Sequence, residues 1–292
     1  MNQADNKASV GFIGLGIMGG SMAARIAAAG YPLHVYNRSR EKAESLVAAG
    51  AQWHDTPASL AAAVDVVITI VGMPDDVRAI YLGDEGLIAH ARTGAVLIDM
   101  TTSSPVLAQE LAARARERGV NMLDAPVSGG DVGAREGRLS IMVGGEQQTL
   151  ARVESILRCM GTNIMLQGGA GAGQHTKLCN QIVIASTMLG VVEGLTYARS
   201  AGLDLETVLG AIGGGAAGGF LLNNLGPKMA RGDFAPGFMI EHFIKDMGLA
   251  SEEALSMGRE LPALELARGL YRQLADAGLA RSGTQALFKA YE

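Results

Sequence analysis

Val10-Gly11-Phe12-Ile13-Gly14-Leu15-Gly16-Ile17-Met18-Gly19 constrains this chain more than any other stretch. An apolar run of strand character meets glycines 14, 16 and 19 at G-x-G-x-x-G spacing, and an alanine-rich helical run follows from Ser21 to Ala29. A tight turn after a strand needs the first glycine, close approach of a phosphate to the backbone needs the second, and packing of helix on strand needs the third. The N–H groups of the helix start, with their partial positive charge, then face the anion. The spacing alone is weak in a chain with 40 glycines, so its context decides. Leu33-His34-Val35-Tyr36-Asn37 supplies a second strand and completes a βαβ unit of about 30 residues. Gly14, Leu15, Gly16, Ile17, Met18 and Gly19 are therefore candidate dinucleotide contacts.

The end of the second strand bears on which dinucleotide. A site for NAD(H) usually places a carboxylate there for the ribose 2′-hydroxyl. This chain has Asn37, Arg38, Ser39 and Arg40 instead. A guanidinium pairs bidentately with a 2′-phosphate that a carboxylate would repel. The expectation is NADP(H) in preference to NAD(H), with Asn37, Arg38 and Ser39 as contacts; arginines on a solvated helix start are the competing explanation.

Further along, Asp65 to Val71 reads as a buried strand ending at Met73 and Pro74, candidates for an adenosine wall or a plain strand-to-helix turn. Ala95 to Met100 is another strand, and the hydroxyls of Thr101 to Ser104 before Pro105 suit a helix cap. The same position puts Thr102 or Ser103 within reach of a nicotinamide. Asn121 to Ala125 is the next strand, then Arg138 to Gly145, a helix from Glu146 to Met160 and a final strand from Asn163 to Leu166. From Gly168 the alternation stops: a long helical run covers about Ala172 to Gly202, and helical periodicity continues, broken at Gly213 to Gly219 and Gly232 to Gly237. The expected fold class is α/β, an N-terminal Rossmann doubly wound sheet over residues 1–168, joined by a long interdomain helix to an all-α C-terminal domain over residues 169–292.

Composition narrows the function classes. With 48% hydrophobic and only 4% aromatic residues, the core is built from Ala, Val, Leu, Ile and Met, as suits helices on a parallel sheet. A net charge of −5 argues against nucleic acid or an anionic membrane as partner. Met1 to Ser9 is polar and lacks a signal-peptide core, so a cytoplasmic location is expected. The apolar stretch Ile182 to Ala198 is interrupted by Ser186, Thr187, Glu193 and Thr196 and reads as a buried helix. Cys159 and Cys179 read as small core thiols, and the five scattered histidines suggest no metal site.

Four ordered motifs go further than the glycine turn. They are the turn itself, Asp124-Ala125-Pro126-Val127-Ser128-Gly129-Gly130, Gly171-Ala172-Gly173-Gln174-His175-Thr176-Lys177-Leu178-Cys179-Asn180-Gln181, and Lys245-Asp246. Together they resemble the β-hydroxyacid dehydrogenase family, related to 3-hydroxyisobutyrate dehydrogenase, over nearly the whole chain. Lys177, Asn180 and Gln181 share one helix face by their spacing, and a lysine flanked by neutral amides can protonate a carbonyl oxygen. The resemblance implies that Lys177 is the catalytic acid/base and that Ser128, Gly129 and Gly130, with Asn180 and Gln181, bind substrate. Exposed N–H groups in the 128–130 segment would suit a carboxylate. Lys245 and Asp246 match a family pair near the cofactor, although as an isolated pair they could equally be a solvated helix face.

What the resemblance implies is NADPH-dependent, reversible reduction of a small carboxylated aldehyde to a hydroxyacid, in a cleft between the domains. Tartronate semialdehyde is the first expected substrate; succinic semialdehyde, glyoxylate and methylmalonate semialdehyde skeletons stay open. Imine reduction and a non-catalytic dinucleotide-binding role are the alternatives, both disfavoured by Lys177. A homodimer or homotetramer is expected. Many relatives carry two asparagines where this chain has Asn180-Gln181, which leaves substrate size open.

Overall fold

The structure is a computed structural model describing residues 7–291, so most of the polar Met1 to Ser9 segment lies outside the described residues. The chain forms two compact units, residues 1–177 and 178–292, that divide inside the long helix Ala172–Ser200.

Among the described residues of the first unit, nine strands form one sheet: β1 (Val10–Ile13), β2 (Leu33–Tyr36), β3 (Gln52–Trp53), β4 (Val66–Thr69), β5 (Val96–Asp99), β6 (Asn121–Asp124), β7 (Val127–Ser128), β8 (Leu139–Gly144) and β9 (Gly161–Gly168). They lie in the order β3-β2-β1-β4-β5-β6-β8-β7, with β9 also beside β8. The first six run parallel in the doubly wound order that binds ligands beyond the carboxyl ends of its strands. β8 is antiparallel to β6 and β7 and parallel to β9.

Every residue of β1, β4 and β5 is buried, because helices cover both faces; such strands read as unbroken apolar runs rather than as alternation. Successive side chains still go to opposite faces. Phe12 joins Met22, Val35 and Ile98 in one core, while Ile13 joins Leu60, Val67 and Leu97 in the other. Each such side chain contributes about 1.5–3 kcal/mol through burial. Thr69 and Asp99 are the polar residues that end these strands, and both are buried.

Some boundaries differ from the sequence expectation. The helix after the glycine turn, α1, spans Ile17–Ala28 and so begins directly at the turn rather than at Ser21. A further helix, Gly130–Glu136, was not anticipated, since Gly130 and Gly133 lower its intrinsic propensity. It is closed by Gly137 in the left-handed conformation at its C-terminal end. Cys159 is partly buried against the core, but Cys179 is exposed, on the outward side of the long helix, and is no core thiol.

The second unit is helical. After Ser200 come Leu205–Ile212, the π-turn Leu221–Leu225 running into Gly226–Ala230, Ile240–Ser256, Pro262–Leu274 and the 3₁₀ segment Thr284–Tyr291. Asp204 caps the first of these, its Oδ1 accepting the Thr207 N–H at 2.8 Å. By length and composition the long helix could cross a membrane; its Ala185, Met188, Val192 and Leu195 are buried in the core of this unit. Phe243 meets Tyr271 edge-on at 5.2 Å there, and the Tyr271 hydroxyl donates to the Thr284 carbonyl at 2.8 Å.

Candidate functional site

The glycine turn leaves β1 at the carboxyl edge of the sheet. Gly14 has φ +95°, and a Cβ there would overlap the Ile70 carbonyl oxygen. A Cβ at Gly19 would overlap the Gly14 carbonyl oxygen. Gly16 is different: apart from its own stretch of chain, no atom of the described residues lies within 4 Å of where its Cβ would be. Gly16 is also the N-cap of α1, with no side-chain cap and no acidic residue in the first turn. Open space before uncapped N–H groups is what a pyrophosphate requires, so these residues fit a dinucleotide.

Asn37 stabilises the turn. Its Oδ1 accepts the Leu15 N–H at 2.8 Å, and its Nδ2 donates to the Ser39 carbonyl at 2.8 Å. Arg38 is exposed, with its guanidinium 3.7 Å from Asp76, whose other oxygen accepts the Met73 N–H at 3.1 Å. Met73 and Pro74 thus begin the helix Pro74–Leu82 next to this arginine.

A buried polar chain ends β4 and β5. Thr69 Oγ1 donates to Asp99 Oδ1 at 2.9 Å, so the Tyr81 hydroxyl, 2.9 Å from Thr69 Oγ1, is the donor in that pair. Asp99 Oδ1 also accepts the Thr101 N–H at 3.0 Å, and Thr101 Oγ1 accepts the Val71 N–H at 2.9 Å. Burial pushes the Asp99 carboxyl up to about 6, opposed by these donors. Ser104 caps the helix Pro105–Glu117 as expected, whereas Ser103 Oγ is buried with no hydrogen-bond partner among the described residues.

Asp124, ending β6, performs a task that no local pattern announces. It is buried and caps the long helix: Oδ1 accepts the Gly171 N–H at 2.7 Å and Oδ2 the Gln174 N–H at 2.9 Å. Burial raises its pKa while these N–H groups oppose the rise. A Cβ at Gly173 would overlap the Met142 carbonyl, so the helix approaches the sheet only because that residue is glycine. Gln174 then turns its side chain to the loop after β5. Oε1 accepts the Ser103 N–H at 2.9 Å, and Nε2 donates to the Thr101 carbonyl at 2.7 Å.

Lys177 follows one turn later and is only 7% exposed. Asn180 is half-buried and Gln181 buried, while Cys179 and His175 are exposed, which agrees with a shared face for the lysine and the amides. Within the second unit, Asn180 Nδ2 donates to Gln181 Oε1 at 2.8 Å and Gln181 Nε2 to Asp246 Oδ2 at 2.6 Å. Lys245 Nζ is 3.0 Å from Asp246 Oδ1, an ion-pair contact rather than a well-directed hydrogen bond. Ser128 ends β7, and Gly129 and Gly130, with φ of +134° and +64°, lead into the helix Gly130–Glu136. Sequence reasoning assigned no role to Asp124 or Gln174. No local signal could have found them, because their partners lie between 47 and 73 residues away along the chain.

Comparison with known proteins agrees with this geometry. Residues 9–169 match the NAD binding domain of 6-phosphogluconate dehydrogenase, and residues 171–291 match the NAD-binding domain of NADP-dependent 3-hydroxyisobutyrate dehydrogenase. The chain is 47% identical to a 3-hydroxyisobutyrate dehydrogenase-like protein of Arabidopsis thaliana, over 97% of this chain and 85% of the relative. It is 38% identical to 2-hydroxy-3-oxopropionate reductase of Escherichia coli, over 97% of each chain. A solved structure of Mycobacterium tuberculosis 3-hydroxyisobutyrate dehydrogenase with L-serine superposes with a TM-score of 0.88 at 32% identity, covering 97% of this chain and 98% of the other. The cradle, the ordered motifs and these relatives place the chain in the β-hydroxyacid dehydrogenase family, whose members are NAD(P)-dependent oxidoreductases acting on the CH–OH group of hydroxyacids.

Proposed function

We propose that this protein reduces a small carboxylated aldehyde of the tartronate semialdehyde type with NADPH, reversibly, to the 3-hydroxyacid. The observation that carries this reading is Lys177, a buried lysine one turn beyond a helix start that Asp124 and Gln174 tie to the carboxyl ends of β5 and β6. Ligands of doubly wound sheets sit at those strand ends. Gly14 to Gly19 would hold the pyrophosphate, Met73 and Pro74 would flank the adenosine, and the Thr102 loop would flank the nicotinamide. The reduced nicotinamide, when bound, supplies a hydride for the aldehyde carbon. Lys177 gives the carbonyl oxygen its proton in reduction and takes it back in oxidation. Ser128, Gly129 and Gly130 bind the carboxylate; Asn180 is a further substrate contact, oriented by Gln181 and Asp246, and Lys245 and Asp246 serve the cofactor.

NADP(H) preference is supported by Arg38 and by the lack of a carboxylate at the end of β2, where Asn37 turns back to Leu15. The names of the relatives support the substrate class. 3-Hydroxyisobutyrate, L-serine and the hydroxyacid formed from tartronate semialdehyde are all 3-hydroxypropionates that differ at carbon 2. The test is NADPH oxidation with tartronate semialdehyde, succinic semialdehyde and glyoxylate, and the reverse reaction with glycerate, 3-hydroxyisobutyrate and L-serine. Lys177→Ala should lower kcat by roughly 10²–10⁴-fold while NADPH still binds. Turnover that survives in Lys177→Ala, or a wild type that binds NADPH yet reduces none of the aldehydes, would sink this reading.

A further inference from the structure

We propose that Gln174 is a positioning residue for the reaction: it pins Thr102 from both sides and sets that loop against the helical turn that carries Lys177. The inference rests on the function proposed above, in which the Thr102 loop flanks the nicotinamide and Lys177 is the proton donor. Gln174 is fully buried, 0% exposed. Its two side-chain hydrogen bonds go to main-chain atoms, the Thr101 carbonyl at 2.7 Å and the Ser103 N–H at 2.9 Å. Those two atoms bracket Thr102. A primary amide matches them because it offers a donor and an acceptor in one plane. The loop is held from its other side by Asp99 on the Thr101 N–H and by the Val71 N–H on Thr101 Oγ1. On the helix side, Gln174 gives its own N–H to Asp124. Lys177 is three residues further on in the same helix, so the loop is tied through Gln174 to the turn that carries the lysine.

A reacting carbon must be held between a hydride source and a proton source, and a displacement of about 1 Å there costs up to roughly 100-fold in rate. A network whose contacts end on main chain resists such displacement. Asp124 keeps the long helix docked when Gln174 is changed, so variants of Gln174 should fold.

The test uses the whole protein with NADPH and the best aldehyde. Gln174→Met removes both hydrogen bonds at similar volume. It should bind NADPH within about threefold of wild type, through the glycine turn, while kcat falls roughly 10- to 100-fold and KM changes much less. Gln174→Glu is the sharper variant. Ionised, it faces the Thr101 carbonyl without a proton; protonated, it restores donor and acceptor together. Its kcat relative to wild type should therefore rise as pH is lowered from about 8 to 6, helped by the upward pKa shift of a buried carboxyl. A role confined to stability predicts a constant ratio. A wild-type kcat in Gln174→Met, or a Gln174→Glu ratio that does not change with pH, overturns the proposal, and the second measurement decides if Gln174→Met does not fold. Lys177→Ala separates the two claims: an inactive Lys177→Ala beside a fully active Gln174→Met removes the positioning role alone, whereas an active Lys177→Ala removes the function on which it rests.

Discussion

Two polar networks are buried on the same long helix, seven residues apart at Gln174 and Gln181, and they are built on opposite principles. Around Gln174, the helix contacts end on main chain: Gly171 and Gln174 N–H on Asp124, Thr101 carbonyl and Ser103 N–H on the Gln174 amide. Around Gln181 the contacts join side chain to side chain, Asn180 to Gln181 to Asp246, with Lys245 beside the carboxylate. Main-chain partners cannot rotate away, so the first network fixes where elements sit. Side chains can change rotamer and re-pair, so the second orients groups without determining the fold.

The largest effect that would test this contrast is Asp124→Ala. Two N–H groups lose a charged acceptor at a buried helix start, and each such bond is worth about 1.5–3 kcal/mol. A loss of about 3–6 kcal/mol is expected, read from urea unfolding of the intact chain. Asp246→Ala should cost less, about 1.5–3 kcal/mol, because one charge-assisted hydrogen bond, from the Gln181 amide, is lost rather than two. Lys245 is 12% exposed at its side chain, which gives it an outlet that Gly171 N–H lacks. An Asp246→Ala variant less stable than Asp124→Ala would break the contrast.

Both networks were unevenly legible in the sequence. The doubly wound sheet could be read because its strands are buried on both faces and appear as apolar runs, and because the turn admits no side chain at Gly14 or Gly19. Lys177, Asn180 and Gln181 could be placed on one face from helical spacing alone. The start of α1 was misplaced by four residues because Gly16 caps it without a side-chain signal, and Gly130–Glu136 was missed because two glycines mask its helical character. Gln174 and Asp124 could not be read at all: their partners lie 71–73 and 47–50 residues away, and nothing within one helical turn distinguishes a buried glutamine from a surface one. Local chemistry predicts local structure, whereas contacts made across a sheet edge appear only once the topology is known.

The finest test falls on Gln181, the longer of the two adjacent amides. From sequence, the longer amide left substrate size open. In the structure, Gln181 is 1% exposed, and both ends of its amide are engaged, Oε1 by Asn180 and Nε2 by Asp246. Gln181→Asn withdraws the amide by one methylene, enough to lose the 2.6 Å contact with Asp246. The expected cost is about 1 kcal/mol, the net worth of one hydrogen bond, and smaller than either carboxylate deletion. Because the amide works through Asn180 and Asp246, KM for each aldehyde should shift by the same small factor, roughly two- to threefold, the arithmetic of a few tenths of a kcal/mol. The order of preference between tartronate semialdehyde and succinic semialdehyde should not change. A reversal of that order would place Gln181 against the substrate, and the side-chain network would then set specificity as well as orientation.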